Sequence, residues 1–268
     1  MINPNLACRS QGFQLLAVVG KYCVSAVLLS LLPHGGTVAR AQSDNFNGGN
    51  DTAWTHYDPF SGFGAPATYS FPGGGYRIQS ALSPSPGTLG PSRAGSLRTD
   101  QTYTDFSVSY DLVDWNNSLN QAFGVLGRVT NPGLGTTDGY ALTYSTGGSI
   151  DISRITGEAP TGLGSFSVTL NPANDYRFVF TGTGNTLAGQ VFDLTDLSTP
   201  LATVTSTDST YGSGINGFVV FDNSGAATAD ATFDNYVATV PEPSSLALLA
   251  AGGVGLMLFR RRSSKSSR

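Results

Sequence analysis

Residues 106–112 read Phe106-Ser107-Val108-Ser109-Tyr110-Asp111-Leu112, four apolar side chains at a spacing of two with a polar residue in each gap. Side chains alternate between faces along a β-strand but recur every 3.6 residues along a helix. Such a run can therefore bury one clean face only as a strand. The pattern returns in part in Ile150-Asp151-Ile152-Ser153-Arg154-Ile155 and strictly in Phe166-Ser167-Val168-Thr169-Leu170. Further strands are expected at 122–129, 140–144, 176–181, 187–194, 201–205, 217–222 and 229–238. Turn-forming clusters separate them, among them Asn131-Pro132-Gly133, Thr146-Gly147-Gly148 and Gly182-Thr183-Gly184-Asn185.

Many short strands at this spacing predict an all-β fold in which two sheets bury their facing side chains, a β-sandwich or jelly roll. No repeat of 20–50 residues is visible, which argues against a propeller or solenoid. Composition agrees: 34 of 268 residues are Gly and only 12% are charged, a balance that disfavours helix. Residues 42–97 are richer in Gly and Pro and read as a first strand followed by long loops of the same domain.

Charge narrows the partners. Residues 42–240 hold six Arg, no Lys, sixteen Asp and one Glu, Glu158, for a net charge of −11. Such a surface repels nucleic acid and anionic lipid headgroups, but it suits neutral sugars, cationic partners and Ca²⁺. Both cysteines, Cys8 and Cys23, precede residue 42. The middle segment thus has no disulfide, thiol nucleophile or cysteine-based metal site.

The two ends read as targeting segments. Residues 1–41 have the form of a secretory signal peptide: positive charge at Arg9 and Lys21, an apolar run from Val24 to Leu32, and Ala39-Arg40-Ala41 as a small-x-small site for signal peptidase. Residues 239–268 contain Pro241-Glu242-Pro243, an apolar stretch from Ser244 to Phe259, then Arg260-Arg261-Arg262. An apolar stretch this short falls below the ~20 residues of a durable membrane helix. The arginines would keep their end cytoplasmic and leave residues 42–238 outside.

This terminal order resembles the PEP-CTERM sorting signal of exported proteins from Gram-negative bacteria that make exopolysaccharide. The resemblance implies an exosortase that cuts near Pro241-Glu242-Pro243. The protein is then held only transiently at the inner membrane through the short helix, before reaching the cell surface, the extracellular matrix or a biofilm. The middle segment resembles concanavalin A-like sandwiches of the laminin-G or glucanase type. Asp44-Asn45-Phe46 ahead of Trp54, Gly139-Tyr140-Ala141-Leu142-Thr143-Tyr144 and Phe233-Asp234-Asn235-Tyr236 carry that likeness, in that order. It implies a last strand that pairs near the first.

Most catalytic chemistries lack their residues here. The one His of residues 42–240, His56, sits in the polar loop Trp54-Thr55-His56-Tyr57-Asp58 and reads as a solvated or packed residue. No Gly-x-Ser-x-Gly elbow supplies a Ser-His-Asp set, and one His without Cys does not make a zinc site. Retaining glucanases of this fold place two glutamates on one strand, which Glu158 alone cannot supply. Asp111 with Asp114, or Asp193 with Asp196, remain as carboxylate pairs for a glycan hydrolase. No catalytic residue or obligate cofactor is therefore assigned. Sugar binding uses exposed aromatic faces beside amides, and Trp54, Tyr57, Trp115, Asn116 and Asn117 are the candidates. Asp44 and Asp234, near the first and last strands, are the candidate pair for a shared Ca²⁺. Arg128, Arg154 and Arg177 are expected on solvent faces, paired with aspartates. The expected function is binding to exopolysaccharide. A structural or adhesive matrix protein and a hydrolase using Asp pairs are the alternatives.

Overall fold

The computed structural model describes residues 41–241. The signal segment with Ala39, and Glu242, Pro243, the apolar stretch and Arg260, Arg261 and Arg262, lie outside the described residues. Ala41 is exposed just ahead of the first strand, and Pro241 is half-buried just past the last.

Fifteen strands run through the described residues: β1 (Gln42–Asp44), β2 (Thr55–Tyr57), β3 (Thr68–Ser70), β4 (Tyr76–Gln79), β5 (Arg93–Tyr103), β6 (Phe106–Trp115), β7 (Gln121–Thr130), β8 (Asp138–Ser145), β9 (Ser149–Thr156), β10 (Ala159–Ser167), β11 (Tyr176–Thr183), β12 (Thr186–Asp193), β13 (Ala202–Thr207), β14 (Gly214–Asp222) and β15 (Asp230–Thr239). They form two antiparallel sheets. One has eight strands, in the order β13-β12-β11-β6-β15-β4-β3, with β1 also on β15. The other has seven, in the order β10-β9-β8-β7-β14-β5-β2. Gln42 pairs with Ala238, so the first and last strands close the domain together, as the resemblance implied.

Alternation sets the core. Phe106, Val108, Tyr110 and Leu112 of β6 all point inward and are fully buried. Phe218 on one sheet stacks on Phe233 of the other at 4.3 Å between ring centroids. The Phe106 ring fills a slot between the sheets that only glycine leaves open. A Cβ at Gly182 would lie 2.3 Å from the ring and one at Gly127 2.6 Å. Full burial of one such side chain is worth about 1.5–3 kcal/mol, so this layer supplies much of the stability.

Three expectations are corrected. Residues 42–97 contain four short strands and the start of β5, not one strand and loops. Ala94 to Arg98 of β5 are buried on both faces, and a strand covered on both sides need not alternate. The run Phe166–Leu170 is not one strand: β10 ends at Ser167, Phe166 is an exposed edge residue, and Leu170 turns into the core. Arg128 is not on a solvent face. Its register is broken by a bulge in β7, its φ is +51°, and it is 1% exposed. There it donates to the carbonyls of Thr104 (2.7 Å), Gly184 (2.8 Å) and Tyr211 (3.0 Å), tying three loops together. All three arginines do have aspartate partners as expected: Arg154 with Asp208, Arg177 with Asp111, and Arg128, despite its burial, with Asp105 at 3.7 Å.

Candidate functional site: a groove on the outer face of the seven-stranded sheet

The outer face of the seven-stranded sheet is unusually apolar. On β14, Phe218 and Val220 face the core while Val219 and Phe221 face the other way. Tyr57, Leu97, Leu126, Val129, Ala141 and Val219 form a second buried cluster there, with Ile155 and Phe221 against it. Over part of this face lies a groove of about 620 Å³. Its floor is Leu126, Ala141, Ile155, Val219 and Phe221, and its walls come from Thr88–Pro91, Leu134–Gly135 and Gly157–Pro160.

One wall is a tight hairpin. Thr156 pairs with Ala159, which leaves Gly157 and Glu158 as a two-residue turn with φ of +53° and +68°. Turns of this kind need positive φ at both positions, and Gly157 adopts it without cost. The Glu158 N–H donates to the Thr137 carbonyl (2.8 Å) and the Gly157 N–H to Asp138 Oδ1 (2.9 Å), which anchors the turn. These contacts hold the Glu158 carboxylate at the groove wall. It accepts two hydrogen bonds from Arg93, from Nε to Oε1 at 2.8 Å and from Nη2 to Oε2 at 2.7 Å. The Tyr57 hydroxyl and the Gly135 N–H also donate to it. Arg93 donates as well to the carbonyls of Leu89 (2.9 Å) and Pro91 (2.8 Å), and its guanidinium lies 4.9 Å over the Phe60 ring.

Both charged side chains are about nine-tenths buried. Burial pushes the Glu158 carboxyl up, to about 7, against the Gly135 hydrogen bond, and pushes the Arg93 guanidinium down. Two opposite charges taken from water are tolerated when each satisfies the other. Chemically, the groove offers an apolar floor of four aliphatic side chains and the Phe221 ring, the Tyr57 ring at its edge, and a rigid polar rim with no net charge from its ion pair.

The residues expected from sequence are placed differently. Trp54 and Trp115 are core residues, 7% and 5% exposed, so neither presents a face to a ligand. Trp54 stacks on Phe218 at 5.2 Å, and its Nε1 donates to Asp44 Oδ2 at 2.9 Å. Trp115 is turned inward by a bulge: Ala231 pairs with Trp115 and Thr232 with Asp114, but Phe233 pairs with Leu112. The extra residue inverts the alternation, because each residue of slip exchanges the two faces. Its Nε1 donates to Asn117 Oδ1 (3.1 Å), and Asn116 Oδ1 accepts from the Ser118 N–H (3.0 Å), so both amides stabilise a turn. Only Tyr57 of the five lines the groove.

Asp44 and Asp234 do come near each other. Burial raises the Asp234 carboxyl, and the charges of Asp111 and Asp44 add to this. Asp44, however, already accepts from Trp54 Nε1 and from the Phe46 N–H (2.9 Å). Among the described residues there is no group of three or more His, Cys, Asp or Glu arranged to hold a metal. Asp111 accepts a bidentate pair of bonds from Arg177, and Asp193 and Asp196 cap turns at Thr195 and Ser198. Arg93 and Glu158 were missed by sequence reasoning. The signal available was that Glu158 is the only glutamate of residues 42–240 and follows a glycine at a turn.

The fold is that of the concanavalin A-like sandwiches. It is similar to the carbohydrate binding module CBM66 from Bacillus subtilis, at TM-score 0.51 and 16% identity over 71% of this chain and 97% of that one. A prokaryotic beta-1,3-1,4-glucanase (lichenase) derived from a mouse hindgut metagenome is similar at TM-score 0.52 and 11% identity, over 75% and 99%. The exoplasmic/lumenal domain of VIP36, in a Ca²⁺-bound form, is similar at TM-score 0.51 and 9% identity, over 78% and 94%. At these identities the likeness is one of fold. Residues 239–262 match the PEP-CTERM protein-sorting motif. The chain is thus a secreted β-sandwich protein with a membrane-anchoring sorting signal behind its sandwich. No curated protein matches it in sequence.

Proposed function

We propose that this chain is the precursor of a surface or matrix protein of a Gram-negative bacterium that associates with exopolysaccharide through the groove above β7, β8 and β14. Signal peptidase would cut after Ala41, leaving Gln42 as the first residue of an exported chain whose sandwich spans residues 42–238. Exosortase would then cut near Pro241-Glu242-Pro243 and remove the apolar stretch and Arg260-Arg261-Arg262. The observation that carries the binding role is the groove itself: an apolar floor with a small, fixed set of polar groups at one rim is the usual build of a ligand site. Its ion pair is closed on itself, which favours an uncharged ligand. The role is binding without chemistry, because Asp111, Asp193 and Asp196 are engaged in an ion pair and in turns.

Two measurements test this. Mass spectrometry of the host's exported fraction should find a protein beginning at Gln42 and ending near Glu242; recovery with Arg268 still attached would refute processing. Sedimentation with the host's exopolysaccharide should retain the exported protein. Ala141→Trp, which fills the groove, should release it. Retention unaffected by that change would remove the groove from the function.

A further inference from the structure

The lining of the groove also specifies a class of sugar, an inference that rests on the binding role just proposed. Sugar rings stack flat on aromatic faces, and Trp54 and Trp115 are locked in the core. Of the two aromatic rings at the groove, Tyr57 is 7% exposed with its hydroxyl held on Glu158. Phe221 lies on the floor beside the rounded aliphatic surfaces of Leu126, Ala141, Ile155 and Val219, which make up most of it. Surfaces of this shape accommodate small apolar groups such as methyls, not the edge of a ring crowded with hydroxyls. Charge points the same way. Arg93 is the only cationic side chain lining the groove, and Glu158 already accepts two of its hydrogen bonds. No cation is left for a uronate or sulfate, and the net charge of −11 over residues 42–240 repels such polymers.

We propose that the groove takes a neutral polysaccharide carrying O-acetyl groups. The acetyl methyl sits on the floor formed by Leu126, Ala141 and Val219, and the sugar hydroxyls meet the exposed polar side chains of the lining, Thr88 and Asn223. A methyl group moved from water to such a floor tightens binding about fourfold.

The test is calorimetric titration of the protein purified from its host's exported fraction. The probes are acetylated glucomannan, the same glucomannan after alkaline deacetylation, and the host's own exopolysaccharide. Affinity for the acetylated polymer should exceed that for the deacetylated one by at least about fourfold. Val219→Thr, nearly isosteric but with a hydroxyl on the floor, should bring that ratio close to one, and circular dichroism and the unfolding temperature read alongside establish that the variant compared is folded. Equal affinity for both glucomannans would overturn the acetyl preference and leave the binding role standing. Where the host polymer alone binds, its alkaline deacetylation should weaken binding by the same factor, and unchanged affinity would overturn the acetyl preference. Failure of all three probes would overturn both.

Discussion

The Arg93–Glu158 pair holds the groove wall, and a double-mutant cycle measures how strongly. Glu158→Gln keeps the shape of the side chain but removes its charge. The carboxylate accepts from two Arg93 nitrogens, the Tyr57 hydroxyl and the Gly135 N–H. A glutamine has one acceptor oxygen, and its NH₂ would face a donor. At least one charge-assisted bond is lost, and a guanidinium with a side chain only 10% exposed is left without its counter-charge. Removing one partner of a buried pair costs about 3–5 kcal/mol. Arg93→Met strands the carboxylate and also frees the carbonyls of Leu89 and Pro91, for a similar loss of about 3–4 kcal/mol. The double variant leaves no stranded charge. It should therefore cost less than the sum of the singles by about 2–3 kcal/mol. Urea unfolding at a pH of about 8, where Glu158 is ionised, reads all three, with equal m-values confirming that the unfolded states are comparable. Additivity within about 0.5 kcal/mol would refute the argument, because it would mean the two charges are solvated independently.

Other consequences are more local. Burial would raise the Asp208 carboxyl, but hydrogen bonds from Thr210 and Tyr140 and the Arg154 charge bring it down from 3.8 to about 2. Its contribution is then complete above about 3.8 and lost as pH falls through about 2. Asp208→Asn should remove roughly 1–2 kcal/mol of that acid-dependent stability, read by acid unfolding followed by circular dichroism. The Tyr236 hydroxyl is buried without a partner, so Tyr236→Phe should raise stability by up to about 1 kcal/mol in urea; a loss would mean an unseen partner. Gly182→Ala pushes a methyl into the Phe106 ring and should cost about 1–3 kcal/mol by thermal unfolding. Trp54→Phe should cost about 2–3 kcal/mol through the lost bond to Asp44 while leaving glycan affinity by calorimetry unchanged, the opposite of a ligand platform.

Much of the architecture is legible residue by residue. Every second residue from Phe106 to Leu112 is buried, and the expected segments 122–129, 140–144, 176–181 and 217–222 all lie within strands. Alternation is a local property, so it survives in the sequence without any knowledge of partners. The sorting motif is equally local, since composition and order define it. β7, β8 and β14 are covered on both faces and still show as apolar runs, whereas β5 escaped because its buried stretch Ala94-Gly95-Ser96-Leu97-Arg98 holds one large apolar residue and so carries neither an alternating nor an apolar signal.

The site was not legible, for a physical reason that recurs. One extra residue between Leu112 and Asp114 turns Trp115 from the surface to the core, and only its pairing with β15 reveals it. Asp44 and Trp54 looked like a metal ligand and a sugar platform, yet they are hydrogen-bonded to each other. Arg93 and Glu158 lie 65 residues apart and meet because β5 and the β9–β10 hairpin flank the same face. The sequence by itself determined the alternating and apolar strands from β6 onward other than β10, the net charge and the sorting tail, all of which depend on neighbours along the chain. Which side chains face water, and which meet across the sheet to make a groove, were decided only by tertiary structure, because register and bulges are set by pairing between distant strands.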